Sequence, residues 1–339
     1  MRIVGVDTGG TFTDLVLVDG REVRIEKVPS TPRDPAAAIV DGLRRISPDR
    51  APDLVVHGTT VALNALLTGR VGRTALVTNA GFRDLVEIAR QDRPELYALE
   101  PRKPAPLVPR ELRFEIAERS APVDGAASAD GGVRMRRERR FGRADVAALA
   151  RELRRARPDA IAICLLHAWA DPRPEQELAR ALAALGVPIT CSGTLLPQHR
   201  EYERFNTALV NAALVPVVRD YLAELARRLR PSRLALLQST GGTLPVERAA
   251  REPARVLLSG PAGGIAAAAR AAVELGLDAV LTLDMGGTST DVGFHATSER
   301  RARAAEPVAS GTADPARIGG QVVALPALDL HTIGCGGGS

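Results

Sequence analysis

The alternation of apolar and polar positions divides the chain into short strands followed by helices. Ile3-Val4-Gly5-Val6-Asp7 reads as a buried strand over residues 1–8, and Thr8-Gly9-Gly10-Thr11 reads as the turn that ends it. Residues 12–19 read as a second strand closed by Asp19-Gly20, a hairpin signal. Val23, Ile25 and Lys27 mark a third strand over 23–28. From Pro32 to Ile46 the spacing becomes helical, with Ala36, Ile39, Val40 and Leu43 on one face. Leu54-Val55-Val56 predicts a strand, and a short helix follows His57-Gly58-Thr59-Thr60 as far as Leu67. Another strand is expected over 74–78 and another helix over 82–88. Three consecutive strands and then alternating helices and strands imply a mixed sheet with helices packed on it.

Residues 92–140 are rich in Pro and Arg and only weakly periodic, so they read as loop with short strands, one of them Arg113–Glu118. The pattern then predicts a helix over 142–157, a buried strand over 160–166, a helix over 175–185 and a strand over 187–191. A long helix is expected from Tyr202 to Leu229, kinked near Pro216. Leu234–Leu237 predicts a strand, Ile265–Leu275 an Ala-rich helix, and Val280–Asp284 a strand.

Composition narrows the class. With 45% hydrophobic and 25% charged residues, the chain has the balance of a soluble globular protein, and its 339 residues suggest two domains. No apolar run approaches the ~20 residues of a membrane helix, and the N-terminus lacks the apolar core of a secretory signal. Three widely spaced cysteines, Cys164, Cys191 and Cys335, form neither a disulfide framework nor a zinc signature and suit a reducing compartment. A cytoplasmic protein is expected. The net charge of +5 is thin over this length, and the Arg134–Arg140 run reads as a solvated loop. With 3% aromatics, a stacking surface for nucleic acid is not expected.

An internal repeat carries most of the chemistry. Asp7-Thr8-Gly9-Gly10-Thr11-Phe12-Thr13-Asp14 returns as Asp284-Met285-Gly286-Gly287-Thr288-Ser289-Thr290-Asp291, 277 positions on (7 to 284), and each copy follows an apolar strand. A Gly-Gly turn lets backbone amides approach an anion closely, and the threonine hydroxyls add donors. A carboxylate at the strand end suits Mg²⁺, which binds through one or two carboxylates plus phosphate oxygens. Two such loops can clamp a polyphosphate from both sides. The candidate phosphate and Mg²⁺ residues are therefore Asp7, Thr8, Gly9, Gly10, Thr11 and Thr13 in one copy, and Asp284, Gly286, Gly287, Thr288 and Ser289 in the other.

Other signals are weaker. Ser259-Gly260-Pro261-Ala262-Gly263-Gly264 precedes a helix, so Gly263 and Gly264 mark either an anion site at its N-terminus or close helix–sheet packing. Ser239-Thr240-Gly241-Gly242 reads as a hairpin. His57 is a candidate acid, base or oxyanion donor, beside threonines placed to cap a helix. Asp329 and His331 form a possible pair for a further divalent metal. Cys335 has no partner in sequence that would make it a nucleophile.

The chain resembles the A-type subunit of the hydantoinase/5-oxoprolinase family, which also includes acetone carboxylase subunits. Besides both repeat copies, the matching segments are His57–Thr60 with Asn64–Leu67, Arg90-Gln91-Asp92-Arg93-Pro94, Arg200-Glu201-Tyr202-Glu203-Arg204, Ser259–Gly264 and Asp329–Gly334. The resemblance implies an actin/sugar-kinase/Hsp70-like, ribonuclease-H-like α/β fold with duplicated domains and mixed sheets. It also implies an N-terminal domain over 1–200 and the start of a catalytic domain over 201–339, truncated, since the family's chain is about twice this long. ATP and Mg²⁺ are the implied cofactors, a cyclic amide of hydantoin or 5-oxoproline type the substrate, and a B-type subunit the partner in a hetero-oligomer. ATP-dependent ketone carboxylation and non-catalytic nucleotide binding remain alternatives. Asp7, Asp284 and His57 are the expected catalytic residues. Asp171-Pro172-Arg173-Pro174-Glu175 lacks the histidine that often precedes this Glu in the family. A severed second domain is expected to expose core surface and leave the isolated chain marginally stable or aggregation-prone.

Overall fold

A computed structural model describes residues 1–31, 34–93, 95–127, 133–285, 290–296, 315–328 and 330–333. The chain opens with strands β1 (Arg2–Thr8), β2 (Phe12–Asp19) and β3 (Glu22–Pro29), helix α1 (Pro35–Ile46), strand β4 (Leu54–Thr59) and helix α2 (Val61–Leu67). There follow β5 (Thr74–Asn79), the single turn α3 (Leu85–Ile88), β6 (Arg113–Ile116), β7 (Arg119–Ala127), β8 (Val133–Arg139), α4 (Arg143–Ala156), β9 (Ala160–Cys164), α5 (Arg173–Leu182), β10 (Ile189–Cys191) and α6 (Ser192–Leu195). The remainder is α7 (Glu201–Arg228), β11 (Arg233–Leu237), β12 (Thr243–Pro245), α8 (Val246–Arg251), α9 (Ser259–Glu274), β13 (Ala279–Met285), β14 (Thr290–Ala296), β15 (Ala316–Ile318), β16 (Gln321–Val323) and β17 (Leu330–Ile333).

These elements form two compact units. One contains residues 1–64, 218–313 and 326–339, the other residues 65–217 and 314–325. The first unit holds a six-stranded sheet in the order β12-β11-β4-β1-β2-β3 and a three-stranded sheet in the order β13-β14-β17. In the larger sheet β1, β2 and β3 are antiparallel neighbours, while β4 lies parallel to β1 and β11 parallel to β4. The fold is thus a mixed α/β arrangement with several sheets. Pro35, placed where no amide is needed, opens α1. The helix then packs on the face formed by Val4, Val6, Leu15 and Leu17, all buried. Gly42 gives it that close approach, because a Cβ there would stand 2.4 Å from a Leu15 methyl.

The second unit is built on the parallel sheet β10-β9-β5-β6. Strand β9 is buried along its whole length, as a near-continuous apolar run predicts for a parallel strand. Ile161, Ile163, Leu149, Leu153, Leu178 and Leu182 form its core.

Several elements depart from the sequence pattern. The run from Arg134 to Arg139 is not loop but lies in β8, paired antiparallel with β7. Its arginines read as loop because a two-stranded hairpin with little core to face carries no apolar period. The helix expected over 82–88 shrinks to the four residues of α3. Helix α7 continues through Pro216, and the Gly72 amide donates to the Ala213 carbonyl there at 2.8 Å. Helix α9 begins at Ser259, six residues ahead of the expected start, so the Gly-Gly pair lies inside it. The Ser239–Gly242 segment is the hairpin between β11 and β12, as expected.

Candidate functional site

The repeat is structural as well as sequential. Asp7 stands opposite Asp14 and Thr8 opposite Thr13 across β1 and β2. In the same register, Asp284 stands opposite Asp291 and Met285 opposite Thr290 across β13 and β14. In both copies the strands pair antiparallel, with an aspartate pair one step before the last pair of the ladder.

The first turn is tied down from behind. The Gly9 amide donates to the Phe12 carbonyl at 3.0 Å, and the Ser30 amide to the Thr11 carbonyl at 2.9 Å. The Ser30 hydroxyl donates to the Gly9 carbonyl at 2.8 Å and lies 3.0 Å from the Thr13 hydroxyl. Thr13 is fully buried, so its hydroxyl serves the turn from inside. These bonds engage the carbonyls of Gly9, Thr11 and Phe12. Among the described residues the amides of Gly10 and Thr11 form no hydrogen bond, and the buried Thr8 hydroxyl has no partner. The turn therefore presents donors, the arrangement an anion needs.

Asp7 lies between this turn and two glycine backbones. A Cβ on Gly58 would stand 3.2 Å from Asp7 Oδ1, and one on Gly260 would stand 3.8 Å from it. Gly58 belongs to β4, and Gly260 to the first turn of α9, whose N-terminal dipole favours negative charge. The Asp7 carboxyl stays open to solvent in a recess crowded by protein. That crowding pushes its pKa up, and repulsion from Asp14 and Asp284 adds to the rise. Lys27 neutralises part of this charge through a 2.8 Å ion pair with Asp14. A cation placed here would relieve the repulsion. Among the described residues no three His, Cys, Asp or Glu side chains group closely enough to hold a metal ion. Carboxylate donors suit a hard cation that takes further oxygens from phosphates and water.

His57 lies in β4. It is fully buried, its Nε2 lies 2.8 Å from the Tyr221 hydroxyl, and burial pushes its pKa down to about 4. Gly263 packs on Leu237, where a Cβ would come within 2.9 Å, whereas Gly264 has open space around it. Gly286, Gly287, Thr288, Ser289, Asp329 and Cys335 lie outside the described residues, as does the side chain of His331. Asp14, Lys27, Ser259 and Tyr221 are site residues that the motif reading passed over. Asp14 is legible in the repeat itself, but no sequence signal links Tyr221 to His57, 164 residues away.

In the second unit two of the resembling segments meet. Arg90 forms a two-pronged pair with Glu203, both bonds 2.7 Å. Glu175 is fully buried and accepts from the Leu165 amide, the Ser192 hydroxyl and the Gly193 amide at 2.6–2.8 Å. Arg204, also buried, donates to Ser192 and to the carbonyls of Leu165 and Gln198. Burial raises Glu175 to about 7 and also raises the thiols of Cys164 and Cys191, which makes both cysteines poor nucleophiles.

Comparison with known proteins gives these features a setting. Residues 3–186 match the hydantoinase/oxoprolinase N-terminal region, and residues 204–339 match the hydantoinase/oxoprolinase domain. The chain is 33% identical over 359 residues to the caprolactamase alpha subunit of Pseudomonas jessenii, covering 99% of this chain and 48% of that one. It is 30% identical over 367 residues to 5-oxoprolinase 1 of Arabidopsis thaliana, covering 98% of this chain and 28% of that one. The crystal structure of the ATP-dependent caprolactamase from Pseudomonas jessenii superposes with a TM-score of 0.82 at 31% identity, over 99% of this chain and 48% of that one. The chain spans about half the length of the caprolactamase subunit and less of the plant enzyme. With family models matching in order along nearly its whole length, the chain belongs to the hydantoinase/oxoprolinase family.

Proposed function

We propose that the chain carries the phosphate-holding site of an ATP-dependent cyclic-amide hydrolase. The observation that carries this reading is the Asp7 recess, where a carboxylate, a turn with unengaged amides and the start of α9 come together. Asp7, with Asp284 of the second copy, would hold Mg²⁺. The amides of Gly10 and Thr11 and the Thr8 hydroxyl would hold phosphate oxygens. Bound ATP would supply the phosphoryl group that activates the ring carbonyl toward water. The chain's own contribution is to orient the phosphates and neutralise their charge, with Lys27 holding Asp14 aside. The order of the six-stranded sheet supports an actin/sugar-kinase/Hsp70-like arrangement for the first copy, and the matching register of β13 and β14 supports a second copy of the same kind. On this reading the chain divides into domains of 1–200 and 201–339 and works with a B-type subunit. A ketone carboxylase of the same family would share every motif named here, so substrate turnover with the partner present separates the two activities.

Calorimetric titration with ATP, with and without Mg²⁺, tests the site. We expect Asp7→Asn to weaken Mg²⁺-dependent ATP affinity by roughly tenfold or more. The same variant should raise the melting temperature of the ligand-free protein at neutral pH. A carboxyl whose pKa rises on folding is penalised in its charged form, and that penalty is present above the ordinary carboxylate range. Equal Mg²⁺-dependent ATP affinity in both proteins would defeat the assignment.

A further inference from the structure

A buried polar network joins the end of β4 to the start of α9, next to the two glycines beside Asp7. Ser259 is fully buried, and its hydroxyl accepts from the Thr59 amide and donates to the Thr59 carbonyl, both at 3.1 Å. One side chain thus occupies both backbone groups of one residue, and it bridges the last residue of β4 to the first residue of α9. Thr59 is buried too, and its hydroxyl accepts from the Val61 amide at 3.2 Å. The Tyr221 hydroxyl faces the Thr59 side chain and bonds His57 Nε2 at 2.8 Å. Thr60 donates to the Thr8 carbonyl at 3.2 Å, which ties the ends of β4 and β1 together.

The consequence lies one residue away on each element. Gly58 immediately precedes Thr59 and Gly260 immediately follows Ser259; a Cβ on Gly58 would press on Asp7 Oδ1 at 3.2 Å, and one on Gly260 would touch it in ordinary contact at 3.8 Å. The spacing between the two glycine backbones is therefore set by Ser259. We propose that Ser259 is the positioning residue of the phosphate site: by locking β4 to α9 it holds Gly58 and Gly260 as the walls that orient the Asp7 carboxylate. The inference rests on the Mg²⁺ and phosphate reading of Asp7 given above. It assigns His57 and Tyr221 a place in the same lock, with no proton transfer, since burial holds His57 neutral and keeps the Tyr221 phenol protonated.

The test is the Mg²⁺ enhancement of ATP affinity, measured by calorimetry on the whole chain. Ser259→Ala removes both bonds to Thr59, and we expect it to reduce the Mg²⁺ enhancement by roughly tenfold, in the range for groups that orient a metal ligand. Gly58→Ala leaves those bonds in place but presses a Cβ against the carboxylate, and it should reduce the enhancement in the same way. Ala272→Gly, at a buried position in the last turns of α9, supplies a control that destabilises the helix far from Asp7 and should leave the enhancement unchanged. A Ser259→Ala protein with a lowered melting temperature but a wild-type Mg²⁺ enhancement would overturn the positioning role and leave the Asp7 site standing. Absence of Mg²⁺-dependent binding in the wild-type chain would overturn the site itself, and the inference with it.

Discussion

Burial moves His57 and Glu175 in opposite directions. His57 falls to about 4 and Glu175 rises to about 7. For His57 the unfolded chain binds the extra proton between its ordinary value near 6.5 and about 4, so its contribution to stability is complete above that window and is lost as pH falls through it. For Glu175 the folded chain binds the extra proton between the ordinary carboxylate value and about 7, so its contribution is complete below that window and is lost as pH rises through it. The two slopes oppose each other between about pH 4.5 and 6.5. Glu175→Gln removes one of them, and melting temperatures taken across this range should then rise with pH more steeply than in the wild type. An unchanged profile would mean that Glu175 is already ionised throughout. Neither shift was legible from sequence. His57 resembled a site residue because it adjoins Gly58-Thr59-Thr60, but its burial depends on Tyr221, far along the chain.

At the scale of elements, the small residues decide what can approach what. Gly293 lets α9 lie on β14, because a Cβ there would meet two Ile265 side-chain atoms at 2.5 and 2.6 Å and the Thr282 hydroxyl at 2.7 Å. We expect Gly293→Ala to cost about 1–3 kcal/mol in chemical unfolding, as overpacking of a closed contact does. A smaller effect would mean that the Ile265 side chain turns aside freely. The elements with a clear apolar period were legible in the sequence, among them β1, β2, α1, α4 and β9. The start of α9 was not, because Ser259-Gly260-Pro261-Ala262-Gly263-Gly264 has almost no helix propensity of its own and is fixed by Ser259 bonding Thr59 and Gly263 packing on Leu237. Of the site, the repeat exposed Asp7 and Asp284. The walls around Asp7 come from Gly58 and Gly260, more than 200 positions apart; the parallel pairing of β4 with β1 brings Gly58 there, and the Ser259–Thr59 bonds bring Gly260.

For the whole molecule, the two copies of the repeat differ most in what covers them. Val4, Val6 and Leu17 of the first copy are 0, 4 and 1% exposed, on the face where α1 packs. Their counterparts Leu281, Leu283 and Phe294 are 67, 66 and 53% exposed. Among the described residues nothing covers this face of core composition in the second copy, and such patches drive association. We expect the chain to bind an environment-sensitive hydrophobic dye and to self-associate. Leu281→Glu with Leu283→Glu should reduce both behaviours without loss of secondary structure. A sharp cooperative melt of monomeric, dye-free protein would contradict this. The edge of the same sheet has a kinetic meaning of its own. Strand β1 is flanked by β2 and β4, whereas β13 has a neighbour on one side only among the described residues. A strand with one row of amides and carbonyls unengaged can template another strand, and that encounter is second order in protein. The working lifetime of a purified sample should therefore shorten in proportion to its concentration, so that dilution preserves the chain.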